Sequence, residues 1–365
     1  MLQDQSSSED GLRTPRPEDF ISKRCAVDSA PPGTPAPEWQ RFLETTFPLR
    51  DHSGPDFELI AFLQRWCGYL CTGLTTEQKF LFLHSTGRSG KNLFADQPFG
   101  ILRDYAVRLP SEVLMQRPVE PHRAELMPLR GARLIVANEI RKGACWNQSR
   151  LMEIVGGDML TANPMRGNPV TFPVVGKLMV LGNHRPTFES HNAAAIQRLL
   201  LVEFRMQFID PDGAPASPDL PPERIARRDN GLAAKLRAEW PAIFRWMIDG
   251  CREWQRIGLK PPPQVIADSS ESISNDDIFA QWRAECCEDV DPHGAKGRDL
   301  ISLLIKSFNE WCGTRRERPA SYNAFSTMLG DHDVGKFKTN AGMVPIGFQL
   351  TGAERARLTR SEELL

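Results

Sequence analysis

The chain has 365 residues, enough for two or three domains, and its 41% hydrophobic and 25% charged content is that of a soluble globular protein. A net charge of −1 excludes a global basic field for nucleic acid, so any basic surface must be local. With no apolar run of membrane-span length and no apolar leader, the expectation is a cytoplasmic protein with no membrane partner. Its eight cysteines lack metal-ligand spacing and read as reduced, packed thiols.

Residues 1–36 are rich in Ser, Pro, Asp, Glu and Arg and are expected to be disordered or extended. From 37 to 74 the text becomes helical, with Leu59, Ile60, Phe62, Leu63, Trp66 and Leu70 at helical spacing. The apolar run Phe80–Leu83 then reads as a buried parallel strand. It feeds Ser85, Thr86, Gly87, Arg88, Ser89, Gly90, Lys91 and Asn92, and a helix starts at Leu93.

Strand, glycine loop, lysine and helix start form the layout of a phosphate-binding loop, in which backbone N–H groups and a helix N-terminus wrap phosphates while the lysine reaches the β and γ groups. The usual pattern opens with Gly and closes with Ser or Thr, where this chain has Ser85 and Asn92. On this segment alone, a nucleotide site and an ordinary strand–turn–helix corner both fit.

Pro98 predicts a short or kinked helix after the loop, resuming at Phe99–Arg103. Arg133–Asn138 is a second buried-strand pattern and ends in Glu139, where a nucleotide hydrolase keeps its acid, or where a solvated charge ends a strand. A helix over Arg150–Val155 is broken by Gly156-Gly157, and a hairpin follows with Arg166 near its tip. Lys177–Asn183 and Leu199–Phe204 are further strands, so the core alternates strand and helix as an α/β, three-layer domain with a parallel sheet.

Several stretches in this order resemble the superfamily 3 helicases, of the phage, plasmid and poxvirus type usually fused to primases. They are LQRWCGYLCTGLTTEQKFLFLHSTGRSGKN, GARLIVANEI, GGDMLTANPMRGNPVTFPVVGKLMVLGNHRP and AAAIQRLLLVEF, followed by AEWPAIFRWMIDGCREWQRIGL. The resemblance covers roughly residues 37–350. It implies a P-loop, AAA+-like ATPase core that uses ATP and Mg2+ in a homo-oligomeric, hexameric ring on single-stranded or forked DNA.

By that resemblance Lys91 would neutralise the β and γ phosphates, with Gly87, Ser89 and Gly90 supplying loop backbone. Glu139 would orient water and support Mg2+ together with Asn92, and Asn183 would be the polar sensor. Arg198 would be an arginine finger reaching the neighbouring subunit's ATP. The hairpin from Thr161 to Phe172 would track DNA, with Arg166 and Lys177 as candidate phosphate contacts; for Lys177 a plain surface lysine fits equally. Asn163 stands where the family's hairpin carries a basic residue. With no primase segment ahead of the core, a separate primase or replication initiator is the expected partner.

The domain expectation is a lead-in at 37–74, the ATPase core at 75–210, and a Pro-rich loop with a helical segment at 211–292. A winged-helix-like module at 293–351 and a tail at 352–365 complete it. Residues 296–345 carry eight Lys and Arg against five Asp and Glu, and DNA contact and protein docking are both open for that module. The reading is an ATP-driven DNA helicase of phage or mobile-element replication; its alternative is a nucleotide-binding DNA scaffold or loader without turnover.

Overall fold

A computed structural model describes residues 16–117, 123–138, 140–141, 144–164, 167–186, 188, 197–210, 220–274, 278–290, 299–315, 317, 319–332 and 334–363. The chain divides into two compact units, Met1–Pro186 with Gln197–Ser269, and Thr187–Ile196 with Ser270–Leu365.

The first unit is built on five strands, β1 (Phe80–His84), β2 (Ala106–Pro110), β3 (Leu134–Asn138), β6 (Lys177–Gly182) and β7 (Leu199–Glu203). They lie in the order β2-β3-β6-β1-β7, and every pair is parallel. A parallel sheet buries both faces, which explains why its strands read as continuous apolar runs. One face carries Leu81, Leu83, Val136, Met179, Leu181 and Val202 into a core shared with α1 (Pro37–Thr46), α2 (Phe57–Tyr69) and α3 (Lys91–Leu102). On the other face Trp146 meets the edges of Phe80 and Phe82, with ring centroids 5.6 and 6.1 Å apart. The hairpin of β4 (Met159–Ala162) and β5 (Val170–Pro173) stands outside this sheet, after α4 (Gln148–Gly156). Beyond β7, β8 (Gln207–Ile209) and β9 (Ile225–Arg227) form a short parallel pair of their own.

Helices from both flanks of the sequence close the first face. α1 starts where the carboxylate of Glu239 accepts from the N–H groups of Glu38 and Trp39 at 3.0 and 2.9 Å, so an acid two hundred residues away caps its N-terminus. α2 crosses α6 (Trp240–Ile257), which follows α5 (Leu232–Ala238), backbone against backbone. A Cβ on Gly68 would lie 2.0 Å from Cys251 N, and one on Gly250 would lie 2.1 Å from Gln64 O, so glycine is what allows this approach. α7 (Pro263–Ser274) then covers the β7 edge, where Leu201 N donates to Ser269 Oγ at 2.8 Å.

Two expectations need correction. α3 runs through Pro98 without a break, because buried Phe94 before it and buried Ile101 and Leu102 after it are held in one core. Residues 16–36 are in part laid along the core rather than free: Ala26 N donates to Ile101 O at 2.8 Å, Ala30 N to Pro241 O at 3.0 Å, and Lys23 Nζ to Asp104 O at 2.9 Å.

The second unit has its own core of Phe279, Trp282, Phe308, Phe325, Phe348 and Leu350. These residues come from α8 (Ile278–Cys286), α9 (Ile301–Arg315), α10 (Tyr322–Asp331) and β13 (Phe348–Leu350), which pairs with β10 (Cys287–Asp289). β11 (Lys336–Thr339) and β12 (Gly342–Pro345) form a hairpin after α10, and α11 (Gly352–Glu363) ends the unit.

Candidate functional site

The chain leaves β1 at the carboxyl edge of the sheet and returns as α3 through Ser85–Gly90. Gly87, Arg88 and Gly90 have φ of 119°, 51° and 80°. Positive φ at these positions, interrupted at Ser89, is the kind of tight turn whose backbone N–H groups can form a concavity for an anion. At Gly90 a side chain is excluded twice, by its φ and by the Phe42 ring, which would stand 3.0 Å from any Cβ placed there. Arg88 takes the same region without being glycine, and its carbonyl accepts from Phe208 N at 2.8 Å, so β8 holds it there. Ser85 is not among the positive-φ residues, the condition under which serine can stand in place of an opening glycine.

Lys91, the first residue of α3, is buried. Its Nζ donates to Gly182 O and Asn183 Oδ1, both at 2.7 Å. Both acceptors are neutral, and burial pushes the lysine pKa down to about 8. The hydroxyls of Ser85 and Ser89 are also buried and find no hydrogen-bond partner among the described residues. An ammonium, a helix N-terminus and two orphaned hydroxyls therefore share one end of the sheet, lining a cleft of about 970 Å³.

Topology places that cleft. The connection after β1 runs to β2 at one edge of the sheet, and the connection after β6 runs to β7 at the other. Their divergence opens a crevice beyond the carboxyl ends of adjacent β1 and β6, where open α/β sheets bind ligands. Lys91 stands on the first connection and Asn183 on the second.

The far wall comes from β2, the turn after it and the end of β3: Arg108, Ser111, Glu112, Asn138 and Arg141. Arg108 Nη2 lies 2.9 Å from Asp96 Oδ1 on α3, and its guanidinium covers the Phe99 ring at 4.6 Å. With its amide turned to satisfy both groups, Asn138 accepts from Arg108 Nη1 at 2.8 Å. Sequence reasoning missed this wall; its only signal was the short alternation Ala106–Leu109 before Pro110.

Of the expected site residues, the structure brings together Lys91, Asn183, Ser85, Gly87, Arg88, Ser89, Gly90 and Asn92 around the cleft. Thr86 is exposed and does not line it. Glu139 and Arg166 lie outside the described residues. Arg198 is at the opposite end of the sheet, before β7, where Nη1 donates to Met152 O at 3.1 Å and Nη2 to Gln78 Oε1 at 2.9 Å. It is separated from its own loop by the length of β1, roughly 13 Å. Lys177 starts β6 at that same opposite end and is buried, its Nζ donating to Thr72 O and Val175 O. An interior ammonium on backbone carbonyls does not face solvent, so the DNA-contact expectation for Lys177 is withdrawn.

No described helix is long and apolar enough to cross a membrane. Residues 83–198, from the end of β1 to the foot of β7, match a family described as "Family of unknown function (DUF5906)". The chain is 23% identical over 264 residues to "Putative helicase L207/L206" of Acanthamoeba polyphaga mimivirus, covering 70% of this chain and 27% of that protein. It is 25% identical over 244 residues to "Putative helicase 022R" of Frog virus 3 (isolate Goorha), covering 63% and 24%. An apo structure of the NrS-1 C-terminal region (305–718) aligns with a TM-score of 0.49 at 10% identity, over 89% of this chain and 77% of that one. The chain is thus similar to viral proteins named as helicases, and it spans about a quarter of the length of each.

Proposed function

We propose that the cleft binds ATP and that the chain is the ATP-hydrolysing motor of a DNA helicase of the superfamily 3 type, acting in viral or mobile-element replication. The observation that carries this reading is Lys91: a buried ammonium at the N-terminus of a twelve-residue helix, with only neutral partners among the described residues. Both burial and the helix dipole disfavour a cation there, and a phosphate group relieves both. The similarity to viral proteins named as helicases supports the motor reading over other phosphate-binding roles.

In this reading the loop N–H groups and the Ser85 and Ser89 hydroxyls hold phosphate oxygens, and Lys91 exchanges its neutral acceptors for charged ones. Asn183, released by Lys91, is then free to contact the terminal phosphate or the attacking water. Glu139 is the acid that orients water, one residue past the end of β3. Mg2+ supplies charge neutralisation on the phosphates when bound; it favours oxygen donors and keeps several waters, and Asn92 and Glu139 are the residues that would hold it. Arg198, too far from its own loop, serves a neighbouring subunit of a ring, and the β4–β5 hairpin with Arg166 contacts DNA.

DNA-stimulated ATP hydrolysis is the test. Lys91→Ala should lose nucleotide binding, while Glu139→Gln should bind nucleotide and lose turnover. A parent chain that binds ATP but does not hydrolyse it, with or without DNA, would favour the scaffold reading, which the neutral Asn92 in place of a hydroxyl also supports. A chain that binds no nucleotide would overturn both.

A further inference from the structure

A second polar cluster lies on the other side of the β1 end from the cleft, around Glu203, the last residue of β7. Strand register sets Glu203 opposite His84, the residue that enters the loop. His84 Nδ1 lies 3.7 Å from Glu203 Oε1, and Arg185 Nη2 donates to the same oxygen. Arg205 Nε lies 3.4 Å from Oε2, and its Nη2 reaches Asp268 Oδ2 at 3.1 Å. Arg50 donates to the remaining oxygen of Asp268. The carboxylate is half-buried, and the His84 imidazole, helped by Arg185 and Arg205 against the opposing effect of burial, holds its pKa down at about 2.

The placement of these partners matters more than their number. His84 immediately precedes Ser85, and Arg185 lies two residues beyond Asn183. The two halves of the proposed nucleotide site leave adjacent strands and diverge; the ladder between them ends at His84 and Gly182, and beyond it Ser85 N donates to Gly182 O at 3.3 Å and Lys91 Nζ to Gly182 O and Asn183 Oδ1 at 2.7 Å. One oxygen of Glu203 stands between them, bonded to Arg185 on the segment that leaves Asn183 and 3.7 Å from the His84 imidazole on the segment that enters the loop.

We propose that Glu203 is a positioning residue for the nucleotide site, clamping the His84 and Arg185 segments so that Asn183 stays opposite Lys91. This rests on the nucleotide reading of the cleft. Without the clamp, Arg185 loses its carboxylate while its Nε is already buried without a partner among the described residues. The guanidinium then has reason to turn elsewhere and carry residues 183–186 with it. Small misplacement of a reacting constellation costs up to about 10²-fold in rate.

The experiment uses the full chain and a fluorescent ATP analogue, with ATPase rates and melting curves on the same samples. Glu203→Gln and Arg185→Ala should each cut kcat about tenfold or more, with a smaller change in nucleotide Kd, and the double variant should be no worse than either alone. Arg205→Ala removes a cation from the same carboxylate but touches neither site segment, and should leave kcat at the parent value. Unchanged turnover in Glu203→Gln, additive losses in the double variant, or an equal loss in Arg205→Ala would overturn the positioning role. Should the parent bind no analogue, the nucleotide reading falls and the role with it, a result distinct from a binding parent whose Glu203→Gln variant behaves identically.

Discussion

Lys91 offers the sharpest quantitative check, because its burial would make the proposed nucleotide binding a proton-linked event. Its pKa of about 8 lies below the ordinary lysine value. The distance to ~10.4 corresponds to about 3 kcal/mol held in the ligand-free fold as the cost of a desolvated ammonium. The unfolded chain binds more protons than the folded one between these two values. The penalty is therefore present in full below pH 8, and stability rises with pH through the window above it. A bound phosphate that restores the ordinary value would draw in ~0.1 proton at pH 7, ~0.5 at pH 8 and ~0.9 at pH 9. Calorimetric titration of nucleotide in buffers of different ionisation enthalpy measures this uptake, and its rise from pH 7 to pH 9 separates the lysine from the phosphates, which titrate at lower pH. Lys91→Met should melt at a higher temperature than the parent without ligand while losing nucleotide affinity. A flat pH dependence of uptake, or a Lys91→Met protein that is less stable at pH 7, would refute the reasoning.

Other perturbations probe the frame around the site. Gly68→Ala drives a methyl group into the Cys251 backbone, where no rotamer change relieves it, and should cost about 3 kcal/mol or more in denaturant unfolding. Ending the chain after Ser274 keeps α7 whole and leaves the second core out entirely, so the product should stay soluble and bind nucleotide; ending near Pro292 retains Phe279 and Trp282 without their partners and should aggregate. If Arg198 serves a neighbouring subunit as proposed, Arg198→Ala mixed with Lys91→Ala should recover part of the ATPase activity that each would lack alone, because mixed assemblies would hold interfaces with an intact loop facing an intact arginine; full activity of Arg198→Ala alone would remove it from the chemistry.

What the sequence made legible follows from how strongly each feature is written. β1, β3, β6 and β7 are buried on both faces, so they appear as short apolar runs, and their brevity with flanking Gly, Asn and polar residues marks them as strands rather than helices. The hairpin was visible because Gly, Pro and Asn punctuate it between two short alternating stretches. β2 was not, since it is an edge strand with Arg108 exposed and Pro110 at its end, and only Ala106 and Leu109 of its five residues are buried. The docked segment 16–36 is held by backbone hydrogen bonds and by Lys23 on carbonyls, which composition does not record. Pro98 misled for a related reason: propensity speaks for the isolated helix, and the shared core outweighs it.

The two buried lysines show where pattern ends and environment decides. Lys177 and Lys91 occupy opposite ends of the same sheet, and burial pulls both below the ordinary lysine value, to about 7 and about 8. For Lys177 the Thr72 and Val175 carbonyls accept from it just past the end of α2 and the Tyr69 ring face lies 4.8 Å away, while nearby Arg133 adds to burial in lowering its pKa. It does not line the cleft, so nothing there calls for a ligand. Lys91 has the reverse polarity, since it begins α3 rather than following a helix end, and the positive end of that dipole adds to its own charge. Beside it stand two serine hydroxyls with no partner among the described residues and an open cleft. Both lysines donate to carbonyl oxygens; what sets Lys91 apart is its place at a helix N-terminus, with orphaned hydroxyls beside it in an open cleft, and that setting is what supports the proposed anion site.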